Sequence, residues 1–156
     1  MVFPMQISSG VLDDASPEVA HALRTRTSDV DWIFSDELEA IKARAPAVDI
    51  AVRGLPVGVF LNAEVERIGD PLYGQLRRMG AIANSDIALI PLSIGVGAEG
   101  VGGATVVEIV ATIVDVRSGR VMWFGIVAGR PGSVADFGTL ASAVEELAET
   151  LLWYVQ

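Results

Sequence analysis

Between Ala104 and Ala128 the chain carries two long runs of mostly β-branched and apolar residues, Ala104 to Val116 and Val121 to Ala128. Only Arg117-Ser118-Gly119-Arg120 separates them. No other feature restricts the fold as much. Val, Ile and Thr lose side-chain freedom in a helix and fit a pleated strand. The break is long enough to reverse the chain and far too short for a parallel crossover, so the runs pair as an antiparallel β-hairpin. Gly119 is available for the left-handed conformation such a turn needs. In the first run Glu108, Val110, Thr112 and Val114 share one face, and Val107, Ile109, Ala111 and Ile113 the other. Both faces are mostly apolar, which predicts a central strand covered on both sides.

The other elements follow from local signals. Val2 to Ile7 reads as an opening strand, ended by Ser8-Ser9-Gly10. Ser16-Pro17-Glu18 supplies a cap, a first-turn Pro and an acid at the positive end of a helix that turns Val19, Ala20 and Leu23 inward. Val30 to Phe34 reads as a second strand, and Ser35 as the cap of a helix whose Leu38, Ile41 and Ala45 share one face up to Pro46. Val57 to Leu61 is a short strand candidate. Asp70-Pro71 opens the clearest helix, with Leu72, Leu76, Met79 and Ala83 as its buried stripe. Asn84-Ser85 then turns the chain into a buried strand, Ile87 to Ile94. After the hairpin, Ser133 and Asp136 resemble a capping box. A helix follows in which Phe137, Leu140, Ala141, Val144, Leu147, Ala148, Leu151 and Tyr154 or Val155 recur at helical spacing, with Glu145, Glu146 and Glu149 outward. The expectation is one α+β domain over residues 1–156: a mixed β-sheet with flanking helices, a C-terminal strand meander and a long packing helix.

The net charge of −9 opposes binding to phosphate backbones, which excludes nucleic acid as the expected partner and disfavours a bare anionic membrane surface. With no Cys there is no thiolate ligand, redox pair or Cys nucleophile. The longest uncharged apolar stretch, Ile87 to Ala98, is interrupted by Pro91, Gly95 and Gly97 and falls short of the ~20 residues a span requires. Met1-Val-Phe-Pro-Met lacks the basic start of a signal peptide, and the expectation is that an export signal stood ahead of Met1.

Residue types that carry chemistry are present but not assembled into a motif. Gly95-Val-Gly-Ala-Glu-Gly100 fits G-x-G-x-x-G, yet it runs through Gly102-Gly103 into strand residues, where a dinucleotide loop must open a helix. His21 is the single histidine, on a short helix with no partner motif. Carboxylates group at Asp13-Asp14, at Asp29, Asp31 and Asp36-Glu37, and at Glu145, Glu146 and Glu149, without calcium-loop spacing. No catalytic, cofactor or metal residues are assigned. Arg77-Arg78 and the turn arginines Arg117 and Arg120 are the local basic spots, and Trp153-Tyr154 ends the last helix. Arg, Trp and Tyr anchor protein interfaces, so Arg117, Arg120, Trp153 and Tyr154 are the candidate partner contacts.

The run Asp115-Val-Arg-Ser-Gly-Arg-Val-Met-Trp123, followed by Gly129 and a long amphipathic helix, resembles a pattern in envelope lipoproteins. In these families a strand ends in Asp-x-Arg-Thr-Gly, turns, and resumes with an apolar residue and Trp. They are the periplasmic domain of the curli-export channel lipoprotein, the TolB N-terminal domain and the lipoprotein activators of penicillin-binding proteins. Asn84 to Pro91 is similar to the strand before their meander, and Val2-Phe-Pro-Met to their start. The likeness spans Asp70 to Val155 and departs from the pattern in having no lipidated Cys and no membrane-crossing hairpins. It implies a periplasmic, non-enzymatic binding or assembly domain, an accessory subunit of a membrane-associated complex or a homo-oligomer. The alternatives are an Asp/Glu hydrolase with a cleft at residues 95–103, using Glu99, Asp13 and Asp14, and a small-ligand sensor.

Overall fold

The computed structural model describes residues 1–7, 15–26, 30–61, 65–97, 104–132 and 137–155. In chain order the elements are α1 (Ser16–Arg26), α2 (Ser35–Arg44), the 3-10 turn η1 (Val57–Leu61), α3 (Leu72–Ala83), β1 (Ile87–Val96), β2 (Val107–Asp115), β3 (Val121–Ala128) and α4 (Phe137–Val155). The strands form an antiparallel sheet of order β1-β2-β3, so β2 is central.

The two faces of β2 divide as the alternation predicts. Val107, Ile109, Ala111 and Ile113 belong to one apolar cluster with Val19 and Leu23 of α1 and Ala143, Val144, Leu147 and Leu151 of α4. Val114 belongs to a second cluster with Leu38 of α2, Val57 and Phe60 of η1, and Leu72, Leu76 and Met79 of α3. Helices therefore cover both faces, with α1 and α4 on one side and α2, η1 and α3 on the other. Thr112 is fully buried on the second side, and its hydroxyl donates to the carbonyl of Trp123 at 2.9 Å.

Irregular pairings adjust which residues reach which layer. Between Pro91 and Ser93 the β1–β2 register shifts by one residue. Ala88, Ile90 and Leu92 face the α2–α3 side, yet Ile94 falls on the α1–α4 side with Leu89, because an extra residue in one strand inverts the alternation beyond it. A second shift, between Ile113 and Val114, sits next to the turn in β3.

The opening segment departs from the strand expected over Val2 to Ile7. It runs along the outer edge of β1 through isolated parallel bridges, Val2 to Leu89 and Ile7 to Ser93. Pro4, which has no N–H to donate, interrupts it. Val30 to Phe34 forms no ladder; Ile33 accepts one backbone bond from Val2 at 2.8 Å. Val57 to Leu61 is η1 and not a strand, since Gly54, Pro56 and Gly58 allow a tight turn and Phe60 is buried by it. Helix starts move by a residue: Phe34, not Ser35, is the N-cap of α2, and its N–H donates to Glu37 at 3.0 Å. The first bond of α1 runs from Val19 to Ala15, while the Ser16 hydroxyl accepts the N–H of Met5 at 3.0 Å. At the start of α3 Pro71, not Asp70, is the N-cap; the Asp70 carboxylate just before it accepts the N–H of Gly74 at 2.9 Å, and Asn84 ends the helix in the left-handed region at φ 52°. On α4, Ala141 is exposed and Ala143 takes the inward place. The turn expected at Ser8-Ser9-Gly10 and the capping box at Ser133 and Asp136 lie outside the described residues.

Ile113 is fully buried where β2 meets α4, so Ile113→Ala costs about 2–5 kcal/mol, read as a lower midpoint in urea unfolding. Gly119 holds φ +73°, and a Cβ there would meet the Tyr73 ring at 2.9 Å and the carbonyl of Ile68 at 3.2 Å. Gly119→Ala therefore lowers stability by about 1–2 kcal/mol in the same assay.

Candidate interaction surface

The hairpin turn is pinned to the body of the molecule. The Asp115 carboxylate accepts the N–H groups of Arg117 at 2.8 Å and Ser118 at 3.0 Å, closing the turn as polar side chains do in tight reversals. Its carbonyls are then taken from outside. Tyr73 Oη donates to Arg117 O at 2.6 Å, the Arg67 guanidinium to Ser118 O at 2.9 Å, and Ile68 N to Gly119 O at 2.8 Å. Arg117 Nε donates to the Asp86 carboxylate at 2.6 Å, with both side chains mostly exposed. Arg120 bridges antiparallel to Arg67 through backbone, and its side chain is exposed.

The backbone bond from Ser118 is the chief cause that holds the Asp115 carboxyl below its ordinary value of 3.8, with Arg117 N–H, the Ser118 side chain and Arg120 adding to it and burial opposing. A depressed folded-state value means a contribution that is full above the unfolded value and lost as pH falls through the folded one. Asp115→Ala consequently costs about 0.5–1 kcal/mol at pH 7, discounted for exposure, and the gap between variant and parent closes at pH values below the ordinary carboxylate range. Denaturant titrations of both chains across acid pH measure it.

At the far end of the chain Trp153 is 88% exposed and Tyr154 38% exposed. The Tyr154 ring lies 6.3 Å from that of Trp123, tilted by 43°. Trp123 follows Arg120 by only three residues along β3, so the end of α4 and the hairpin turn stand at the same end of the sheet. The structure thus brings Arg117, Arg120, Trp153 and Tyr154 to one end of the molecule. Arg117 is the one already engaged in an ion pair there, and Trp153 presents the most apolar surface.

A second exposed apolar region was not legible from periodicity. Phe124 and Ile126 point outward from the α2–η1–α3 side of β3, with Ile126 62% exposed. Phe60 of η1 stacks on Phe124 at 5.8 Å between centroids, and Val59 and Leu61 beside it are exposed. Alternating residues in a strand look the same whether a layer covers them or not. The lack of any charge from Val121 to Gly129 was the available signal.

Of the other candidates, Gly95 and Gly97 belong to the β1–β2 pairing, where Gly97 N donates to Val106 O at 2.7 Å; the rest of that motif, from Ala98 on, lies outside the described residues. Asp13, Asp14, Asp29 and Glu99 lie outside the described residues. His21 is exposed on α1. Glu145 and Glu149 flank Arg26 as ion partners, and with Glu146 they line a shallow depression beside Ala128, Gly129, Arg130 and Ser142. Among the described residues no group of three or more His, Asp or Glu is placed to hold a metal. None of their helices is long and apolar enough to cross a membrane.

No protein-family model and no curated protein matches the sequence. Solved structures do. Lipoprotein GNA1162 from Neisseria meningitidis matches over 99% of this chain and 94% of its own, with a TM-score of 0.52 and 17% identity. The chain shares its fold with this lipoprotein. The PelC dodecamer from Paraburkholderia phytofirmans aligns over 96% of this chain and 82% of its own, with a TM-score of 0.40 and 16% identity.

Proposed function

We propose that this chain is a non-enzymatic binding and assembly domain of the bacterial periplasm, an accessory subunit of a membrane-associated envelope complex. It works by protein–protein contact through the hairpin end of its sheet. The observation that carries the reading is Trp153, a large aromatic 88% exposed on the last turn of α4, with Tyr154, Arg117 and Arg120 at the same end. Burying such a ring in a partner removes more apolar area from water than any other single side chain on that surface. The surrounding residue types are those that dominate interface energetics. The shared fold with a lipoprotein supports the envelope as the place of work and kinship with the lipoprotein families above.

The surface can be tested apart from the fold. Trp153→Ala leaves unfolding stability within about 0.5 kcal/mol, because the ring is mostly in water already. A photo-reactive residue at position 153, expressed in the native cell, yields an adduct heavier than the chain, and the protein is recovered in the periplasmic or envelope fraction. A reactive residue at Glu39, on the exposed side of α2, yields none. A cytoplasmic protein with no adduct at position 153 removes this reading.

A further inference from the structure

We infer that the outer edge of β3 is a self-association surface that pairs antiparallel with β3 of a second copy, in a two-fold register centred on Ile126. This names one partner for the assembly reading above and rests on it only for its biological setting.

The edge is defined by the ladder. Gly129 N donates to Val107 O at 2.9 Å, so 107/129 is a hydrogen-bonded pair, and the pairing Ile109–Val127, Ala111–Gly125, Ile113–Trp123 continues it at every second residue. The intervening residues Phe124, Ile126 and Ala128 therefore aim their N–H and C=O groups away from β2. Among the described residues the outer edge is taken only at the turn, by Ile68 on Gly119, by Arg67 opposite Arg120 and by Glu66 on Val121. The opposite edge of the sheet is covered by Met1 to Ile7.

Exposed edges are normally blunted by Lys, Pro or an inward charge. From Val121 to Gly129 β3 has none. Ile126 and Ala128 are exposed beside Phe124. What a second copy offers, and an unrelated strand does not, is a match at every position. Centring on Ile126 is the one register in which the three outward residues satisfy one another: Ile126 against the partner's Ile126, and Phe124 against the partner's Ala128. Large then meets small on that face. On the other face Gly125 meets the partner's Val127, again small against large.

The charges at the ends agree with this orientation. A two-fold axis normal to the sheet keeps α4 of both copies on one side and brings the turn end of each β3 to the Ala128 end of the other. At the Ala128 end the depression holds Glu145, Glu146, Glu149 and Arg130, with Arg26 pairing Glu145 and Glu149. Glu146 has no ion pair among the described residues. At the turn end Arg117 pairs with Asp86 and Asp115 is bonded within the turn, while among the described residues Arg67 and Arg120 have no carboxylate within ion-pair distance, Arg120 acting on Asp115 only at longer range, and Glu66 is exposed. Arg120 of each copy thus approaches the partner's Glu146, twice per dimer.

The chain has no Cys, so one introduced thiol reports on geometry. Directly opposed residues of a hydrogen-bonded antiparallel pair have Cα atoms about 5.5 Å apart, inside the range a disulfide spans. Ile126→Cys is expected to form a covalent dimer under mild oxidant about tenfold or more faster than Glu39→Cys, the effective-concentration gain of a preformed pair. By sedimentation, Arg120→Glu and Glu146→Arg each weaken the dimer about fivefold to tenfold, and the double exchange restores it. Thermal melts confirm that each variant is folded. A parent chain that stays monomeric at about 100 μM, or Ile126→Cys cross-linking no faster than the control, overturns the inference, as does a dimer indifferent to both charge exchanges. Failure here with an intact Trp153 adduct leaves the assembly reading standing. Success here with no Trp153 adduct leaves self-association as the only contact supported.

Discussion

Everything in this fold answers to β2, a strand that is apolar on both faces. Ile109, Ala111 and Ile113 on one side and Val114 on the other are buried to within a per cent, with Thr112 among them. Leaving either face in water would cost roughly 25 cal/mol for each Å² of apolar area exposed, so a layer is demanded on each side. A strand buried twice over also cannot lie at an edge, because its N–H and C=O groups would go unpaired away from water. Central position and double cover are one requirement, and the flanking β1 and β3, α1 with α4, and α2 with η1 and α3 are how this sequence meets it.

The same requirement explains the irregularities. One face must receive α4, a long helix lying across β2 and β3, and the other must receive short elements that follow one another in sequence. The shift at Pro91/Ser93 transfers Ile94 from the crowded α2–α3 side to the α1–α4 side. Pro91 cannot donate to a ladder, so a break there sacrifices little. At the other end of the hairpin, the shift near Met122 lets both Met122 and Trp123 lean on the α1–α4 cluster while Val121 stays with the other. Arg24 set over the Phe34 ring at 4.0 Å closes the corner between α1 and the start of α2.

How much of this was legible depended on whether the information was local. The hairpin at Ser118-Gly119, the helix start at Asp70-Pro71, the turn at Asn84-Ser85 and the division of β2 into two faces are stated by neighbouring residues, and they hold. Val57 to Leu61 misled because a short apolar run fits any buried element, and only the surrounding Gly54, Pro56 and Gly58 chose a turn. Val2 to Ile7 has the composition of a strand, but its pairing is decided by β1, far along the chain. Ala141 and Ala143 are equally apolar; the tilt of α4 on the sheet selected between them. At the candidate surface Trp153 and Tyr154 could be named from residue type, since an aromatic pair ending an amphipathic helix has no obvious core to enter. Their meeting with the hairpin turn through Trp123 could not, because it depends on the direction in which α4 crosses the sheet. Phe124 and Ile126 were hidden for a related reason: burial of a strand face is a property of the layer above it.

The two edges of the sheet are treated unequally, and that inequality limits what the molecule can build. Met1 to Ile7 covers β1 with bonds to Leu89, Pro91 and Leu92, so strands cannot be added there without displacing the opening segment. Growth from β3 alone has a single direction. A sheet open at both edges would stack copies head to tail without end, the route to fibres. One available edge admits a closed pair and then stops, since pairing with a second copy would consume the outer edge of β3, the one sheet edge left open among the described residues. An uncharged outer strand, an aggregation hazard in a sheet with two open sides, is tolerable here because the first seven residues close the other side.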